Sequence, residues 1–186
     1  MKNLILHTEQ IKGKDLFQDF EENAAAFPLF SDLVQNRECE FREPLKISLR
    51  AFRIRELFEV EGTFQTRVRM SCSRCLKKFD LPLKSSFALT YTTELPVMKE
   101  ASDEEEVELG VAELGLIYLR GEEIDLRDGI QEQVVMAFPL RTLCAETCKG
   151  LCPKCGADLN HRDCGCRHTP TGNKFAALKK LKLSKK

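Results

Sequence analysis

No run of about 18 apolar residues occurs in this sequence, which excludes a helix crossing a membrane. No glycine-rich phosphate loop, no H-E-x-x-H and no G-x-S-x-G occurs either, so the short signatures of nucleotide handling, zinc proteolysis and serine hydrolysis are missing. The N-terminal "MKNLILHTEQIKGKD" has too short an apolar stretch for a signal peptide, and no small-residue cleavage site follows. The expected location is therefore cytoplasmic, where stable disulfides are rare. Net charge is absent as well: 29 Lys+Arg stand against 29 Asp+Glu.

That zero hides an asymmetry. Residues 1–140 carry 18 basic and 26 acidic side chains, a balance of −8; residues 141–186 carry 11 and 3, a balance of +8. A basic end of this kind can meet a polyanion. The plainer reading is an internal dipole whose two ends attract each other.

The chain of 186 residues suits one medium domain with a small appendage, long enough to bury a core without crosslinks. "KDLFQDFEENAAA" at 14–26 reads as a short helix with Leu16, Phe17 and Phe20 on one side. "LKISLRA" at 45–51 has the strand period. Two longer alternations follow: Phe58, Val60, Phe64, Val68 and Met70 share one parity, then Phe79, Leu81, Leu83, Phe87, Leu89 and Tyr91 do the same. They predict an antiparallel hairpin with "SCSRCLKK" at its tip, and Pro82 predicts an edge or a bulge. "KEASDEEEVE" at 99–108 reads as a solvated acidic loop. "GLIYL" at 115–119 reads as a strand, and "IDLRDGIQEQVVMAFP" as a helix. Asp125 is its expected N-cap, Leu126, Ile130, Val134 and Ala137 form its stripe over the open sheet face, and Pro139 stops it.

What the sequence has in excess is cysteine. Five of the nine fall within "CKGLCPKCGADLNHRDCGC" at 148–166. An odd count in a chain expected to be cytoplasmic argues for reduced thiols, and paired thiols argue for metal. The pairs are Cys72–Cys75, Cys144–Cys148, Cys152–Cys155 and Cys164–Cys166; Cys39 stands alone. A C-x2-C at a tight turn lets both sulfurs face one ion, and in "CPKCG" Pro153 stiffens the turn while Gly156 can take a positive φ. Eight thiolates make two closed four-coordinate sites, which fits two zinc ions, although four thiolates suit iron as well. Loop entropy favours local sets: Cys152, Cys155, Cys164 and Cys166 in one, and Cys72, Cys75, Cys144 and Cys148 in the other. The alternative is a crossed arrangement in which Cys152 and Cys155 meet the hairpin pair. His161 and His168 lie beside complete cysteine sets and are expected to face solvent.

Catalysis is not expected. A redox C-x2-C opens a helix, whereas "LKKFDLPL" opens a strand, and filled thiolate sets leave no open metal position. The expected class is α+β: an antiparallel β-sheet or partly open barrel with a long central hairpin, one or two packed helices, and a C-terminal cysteine-rich zinc-knuckle segment. The expected divisions are a β-rich core at 1–143, a zinc-binding segment at 144–172 and a basic tail at 173–186. In the tail Phe175, Leu178 and Leu181 recur at helical spacing among lysines, and Arg167, Lys174, Lys179, Lys180, Lys182, Lys185 and Lys186 are candidate nucleic-acid contacts.

"MSCSRCLKKFDLPL", "IDLRDGIQEQVVMAFPLRTLC", "CKGLCPKCGADLN…CGC" and "NKFAALKKLK", in that order over about residues 45 to 183, resemble the YceD family of bacteria and plastids. The resemblance implies a role in accumulation or assembly of large-subunit (23S) ribosomal RNA. It implies ribosomal RNA, pre-large-subunit particles and ribosomal proteins as partners, with no membrane and no small-molecule substrate. Zinc knuckles are among the modules that bind RNA, so a non-enzymatic RNA-binding factor is the leading expectation. A protein–protein adaptor with purely structural zinc, docking through the sheet face or the acidic loop, is the rival. Steep salt dependence would separate the two, since phosphate binding releases counterions.

Overall fold

The computed structural model describes residues 4–93 and 115–166. Its framework is one open, six-stranded sheet in the order β2-β4-β5-β6-β7, with β3 pairing β5 off that path. The chain enters through β1 (Ile5–His7) and a short helix α1 (Thr8–Ile11), then forms β2 (Leu16–Glu22), a 3-10 turn (Ala24–Ala26) and α2 (Pro28–Gln35). Strands β3 (Cys39–Phe41), β4 (Leu45–Ile54), β5 (Leu57–Ser71) and β6 (Lys78–Thr92) follow, then β7 (Leu116–Tyr118), β8 (Glu123–Asp125) and helix α3 (Arg127–Met136). All pairings in the large sheet are antiparallel except β6 with β7. The expected α+β class is formed, as an open sheet rather than a barrel.

The β5–β6 hairpin is its longest pairing, in unbroken register from Leu57↔Thr92 to Ser71↔Lys78. A 15-residue strand is about 50 Å long at 3.4 Å per residue, more than one neighbour can cover. β4 accordingly pairs the lower part of β5, from Ile54↔Leu57 to Lys46↔Gln65, and β3 takes over at Phe41↔Val68 to Cys39↔Met70. Pro82 lies opposite Arg67 in unbroken register, on a stretch of β6 that has β5 on one side. β7 reaches the other side of β6 only at Thr90 to Thr92. Its missing N–H therefore costs no ladder bond among the described residues.

Two expectations from the sequence are corrected. Residues 14–26 form no α-helix: Leu16–Glu22 is a strand paired with β4 from Leu16↔Ala51 to Glu22↔Leu45. A helix would put Leu16, Phe17 and Phe20 on one side, but the strand buries Phe20 and turns Phe17 outward, 71% exposed. The edge of β4 offers seven residues of backbone partners, and that outweighs the weak helical preference of a short polar segment. The nearby helix is α2, with Pro28 at its start. It packs Phe30 against Phe27 and Phe41, each ring pair 4.8 Å apart. The second correction concerns Asp125, which precedes the true N-cap, Leu126; its Oδ1 still accepts the Arg127 N–H at 2.9 Å.

The core lies on one face of the sheet. Leu45, Ile47, Ala51, Val60 and Phe64 point into it, and α3 covers it with Leu126, Ile130 and Val134, all fully buried. Residues before β3 close the rest: Leu6, Ile11, Phe27 and Phe30 are buried to 1% or less, and β1 is pinned to β8 at Leu6↔Ile124. A second, smaller apolar cluster of Cys72, Cys75 and Cys148, with Phe79, Leu143 and Leu151 against it, sits at the hairpin tip.

At Gly62 the sheet leaves no room for a side chain. A Cβ there would stand 2.6 Å from the Ser48 carbonyl oxygen and 2.7 Å from Cζ of Phe87, whose ring crosses the strand at this point. Gly62→Ala should therefore lower stability by about 1–3 kcal/mol through overpacking. Urea unfolding of the metal-loaded protein measures this, and a midpoint equal to wild type would mean the strands are looser than described.

Candidate metal centres

The register of β5 on β6 leaves Cys72 to Lys77 as a loop beyond the last pair, Ser71↔Lys78. In that loop the Cys72 N–H donates to the Lys77 carbonyl (2.9 Å) and the Leu76 N–H to the Cys72 carbonyl (2.9 Å). The Arg74 N–H points at Cys72 Sγ (3.5 Å). The second C-x2-C repeats these bonds: Cys152 N–H to the Ala157 carbonyl (2.8 Å), Gly156 N–H to the Cys152 carbonyl (2.9 Å), and Lys154 N–H to Cys152 Sγ (3.4 Å). Two stretches 80 positions apart in sequence are thus the same knuckle. Gly156 adopts φ +72° as its sequence context predicts, while the equivalent residue of the first knuckle, Leu76, adopts φ +59°.

The segment after α3 folds back onto the hairpin tip. Ser73 donates from N and Oγ to the Thr142 carbonyl. Arg74 Nη1 donates to the carbonyls of Glu146 (3.2 Å) and Cys148 (2.8 Å), and the Leu151 N–H returns to the Arg74 carbonyl (3.0 Å). Gly150, at φ +75°, is needed here, since a Cβ would stand 2.9 Å from that same carbonyl oxygen. These bonds bring Cys144 and Cys148 to Cys72 and Cys75. Within each of the two sets, Cys72/Cys75/Cys144/Cys148 and Cys152/Cys155/Cys164/Cys166, all four sulfurs lie within 4.8 Å of one another. The local division is the one the fold assembles, and the crossed arrangement is not.

The spacing fits a shared ion. Cys72 and Cys148 Sγ are 3.8 Å apart, and Cys75 and Cys144 Sγ are 3.6 Å apart. A tetrahedron with metal–sulfur bonds of about 2.3 Å has edges of about 3.8 Å, whereas a disulfide brings sulfurs to about 2.05 Å. The first set is nearly enclosed, with Cys72, Cys75 and Cys148 buried; in the second only Cys152 is buried and Cys155 is exposed. Cys39 is buried on β3, apart from both sets, and burial pushes its thiol up to about 11, which makes it inert. His161 is exposed, 3.6 Å from Asp158, and takes no part in either set.

One contributor has no signature in the sequence. Asn160 points Nδ2 at Cys148 Sγ (3.5 Å) while its Oδ1 accepts the Lys149 N–H (2.8 Å). Its side chain belongs to the loop of the second set yet supports a sulfur of the first. The only hint is an Asx-type residue between cysteine pairs, which is too common to be read. His168, Arg167, the tail residues Lys174, Lys179, Lys180, Lys182, Lys185 and Lys186, and the acidic stretch 99–108 lie outside the described residues.

The family model described as large ribosomal RNA subunit accumulation protein YceD matches residues 60–182. The chain belongs to the YceD family. In Arabidopsis thaliana, the "Large ribosomal RNA subunit accumulation protein YCED homolog 1, chloroplastic" is 26% identical over 162 residues, covering 75% of this chain and 49% of that protein. The Zea mays protein of the same description is 25% identical over 169 residues, covering 80% of this chain and 57% of its own length. The chain thus spans about half the length of these curated relatives. No solved structure matches it. The YceD match begins within β5 and runs past both knuckles, so it takes in all eight paired thiols.

The electrostatics of each set ask for a cation. Backbone N–H groups, that of Cys144 first and then those of Cys75 and Arg74, hold the Cys72 thiol down to about 6 against the opposing effect of burial. Those of Cys155 and Lys154 do the same for Cys152. Other thiols are pushed the opposite way: Cys144 rises to about 12 through its contact with the Cys75 sulfur, and Cys166 to about 12 through Cys155. In each set one thiol is held down and two are pushed up. A divalent ion held by the four sulfurs would favour the thiolate form throughout and displace the remaining protons.

Two outcomes follow from this geometry. A metal held by these sets would keep the thiolates far below their unfolded pKa, so its stabilisation would be present at neutral pH and lost as pH falls. Metal release followed with a chromophoric chelator from about pH 8 to about pH 5 should rise steadily, and a flat profile would contradict thiolate ligation. Furthermore, the first set joins residues 69 apart across a buried junction, from Cys75 to Cys144, while the second is local. Cys72→Ser should lower Tm more than Cys164→Ser by several degrees, at about 2–4 °C for each kcal/mol in a chain of this size. Equal shifts by calorimetry would mean the two sets act as one.

Proposed function

We propose that this chain is a non-enzymatic factor promoting accumulation or assembly of large-subunit ribosomal RNA. It binds that RNA or pre-large-subunit particles through a C-terminal region held by two zinc ions. The observation that carries this reading is the charge division: residues 141–186 hold 11 basic and 3 acidic side chains in a chain of zero net charge. Charge of one sign concentrated in a small thiolate-held module suits a polyanion. The sheet arginines add little to it, because they are neutralised locally: Arg42 by Glu40, Arg50 by Asp15, Arg53 by Glu56, Arg67 by Glu43 and Arg69 by Asp80. The family description, which names large ribosomal RNA, supports the same polyanion.

Zinc is the ion the site chemistry favours, with four thiolates at tetrahedral spacing and no open position for a reacting water. Filled sets place zinc in a structural role, which is why the reading is non-enzymatic. The proposed setting is the cytoplasm or another ribosome-containing compartment; both plant relatives are described as chloroplastic. The adaptor reading draws on exposed apolar side chains, Phe17 at 71% and Leu140 at 106%. It differs in responding little to salt.

The tail tests the reading. Full-length protein and a form ending at Asn173 are to be titrated with large-subunit ribosomal RNA across a salt series. Removing the tail should reduce the slope of log affinity against log salt by about 0.7–0.9 for every phosphate that its lysines neutralise. Equal affinity and equal slope would remove the tail from the binding surface, and a shallow slope in both proteins would favour the adaptor.

A further inference from the structure

The two knuckles share their hydrogen bonds but not their exposure to strain. Gly156 occupies the left-handed position of the second knuckle at no steric cost, while Leu76 occupies the equivalent position of the first. A leucine there costs free energy that a glycine would not. Packing does not offset it, because Leu76 is 66% exposed, outside the small cluster that buries Cys72, Cys75 and Cys148. The fold thus holds a large apolar side chain outward, at a backbone cost, at the tip of its longest hairpin.

Its surroundings are basic. Arg74, Lys77 and Lys78 flank it on the same knuckle and are all exposed. The docked segment adds Lys149, whose N–H binds Asn160, and Arg162, whose N–H reaches the Asp158 carbonyl. Asp158, 3.6 Å from His161, stands at the same junction, its carboxyl held low first by the Asn160 N–H and also by the charge of Lys77. Among the described residues no carboxylate forms an ion pair with Arg74, Lys77, Lys78, Lys149 or Arg162, in contrast to the five neutralised arginines of the sheet. The Arg74 guanidinium spends its bonds on backbone carbonyls, so its charge is undiminished.

We infer that the hairpin-tip knuckle is an RNA contact separate from the tail, in which Leu76 lies against an unstacked base or ribose while Arg74, Lys77 and Lys78 meet the flanking phosphates of a single-stranded segment. This rests on the proposed function, and the charge complementarity selects RNA over a protein partner. Single-stranded RNA presents apolar base faces beside regularly spaced anions, the pairing of chemistry found at this tip.

The test uses full-length, metal-loaded protein and a transcript of large-subunit ribosomal RNA. Leu76→Gly, which relieves the strained position, should leave Tm and metal content unchanged or raise Tm, and should weaken binding by about threefold or more. Lys77→Gln with Lys78→Gln should weaken it similarly and reduce the salt slope by about 0.7–0.9 for each of the two charges removed. A purely structural role for Leu76 would instead lower Tm. If wild type binds and truncation at Asn173 weakens it, but Leu76→Gly and the lysine pair bind as wild type, the inference is overturned and the tail reading stands. Wild type that fails to bind at low salt would overturn both. Association with purified pre-ribosomal particles that depends on Leu76 yet survives ribonuclease would assign the tip to a protein and overturn the inference alone.

Discussion

Fifteen residue pairs in unbroken register join β5 to β6, and the position of the first candidate metal centre depends on where that register ends. Side chains alternate across a strand, so a slip of one residue would turn the buried set of one strand to solvent, Phe64 and Val68 on β5 or Leu83 on β6. The buried face thus locks the register, and the register in turn places Cys72 and Cys75 in the loop just beyond the final pair. The same hairpin is long enough to carry its tip clear of the main core, where a second small cluster forms around sulfur. The core sits at one end of the hairpin and a candidate metal centre at the other.

At that tip two kinds of bond cooperate. Backbone and Arg74 hydrogen bonds bring the segment after α3 to the first knuckle, where the gathered thiols are pushed in opposite directions, Cys72 down and Cys144 up. Without a cation the arrangement concentrates groups that compete for charge; with one, the same closeness becomes a closed coordination shell. Asn160 extends the dependence to the second set, since the loop that carries it is ordered around those cysteines and its amide supports Cys148. The two sets therefore differ in role while sharing a boundary.

Charge is distributed by the same geometry. Strand arginines face carboxylates on neighbouring strands or turns, as Arg69 faces Asp80 across the β5–β6 pair. Such exposed pairs add little stability, but they cancel the sheet's field. Arg74 at the knuckle meets backbone carbonyls where the sheet arginines meet carboxylates, so its charge keeps its reach. A sheet that is electrostatically quiet and a tip that is not make a directional molecule out of a neutral chain.

Period-two patterning names β4, β5 and β6 because each has one wet and one dry face, and the C-x2-C spacing names two knuckle turns because both sulfurs of each lie within one short loop. Those features are local, and the sequence by itself determined them. Which pairs meet, in a local or a crossed division, is decided only by the segment after α3, which brings Cys144 and Cys148 to Cys72 and Cys75. Residues 14–26 defy such a reading for the opposite reason: their apolar positions suit a short helix, and only the free edge of β4, contributed by residues 45–51, makes them a strand. Asn160 and Leu76 are illegible in the same way. One acts on a sulfur twelve positions earlier in the chain. The other is unusual only when its φ is set beside that of Gly156. Tertiary structure alone decided these, because edge pairing, support for a sulfur and backbone strain are relations between distant segments that no single window of sequence contains.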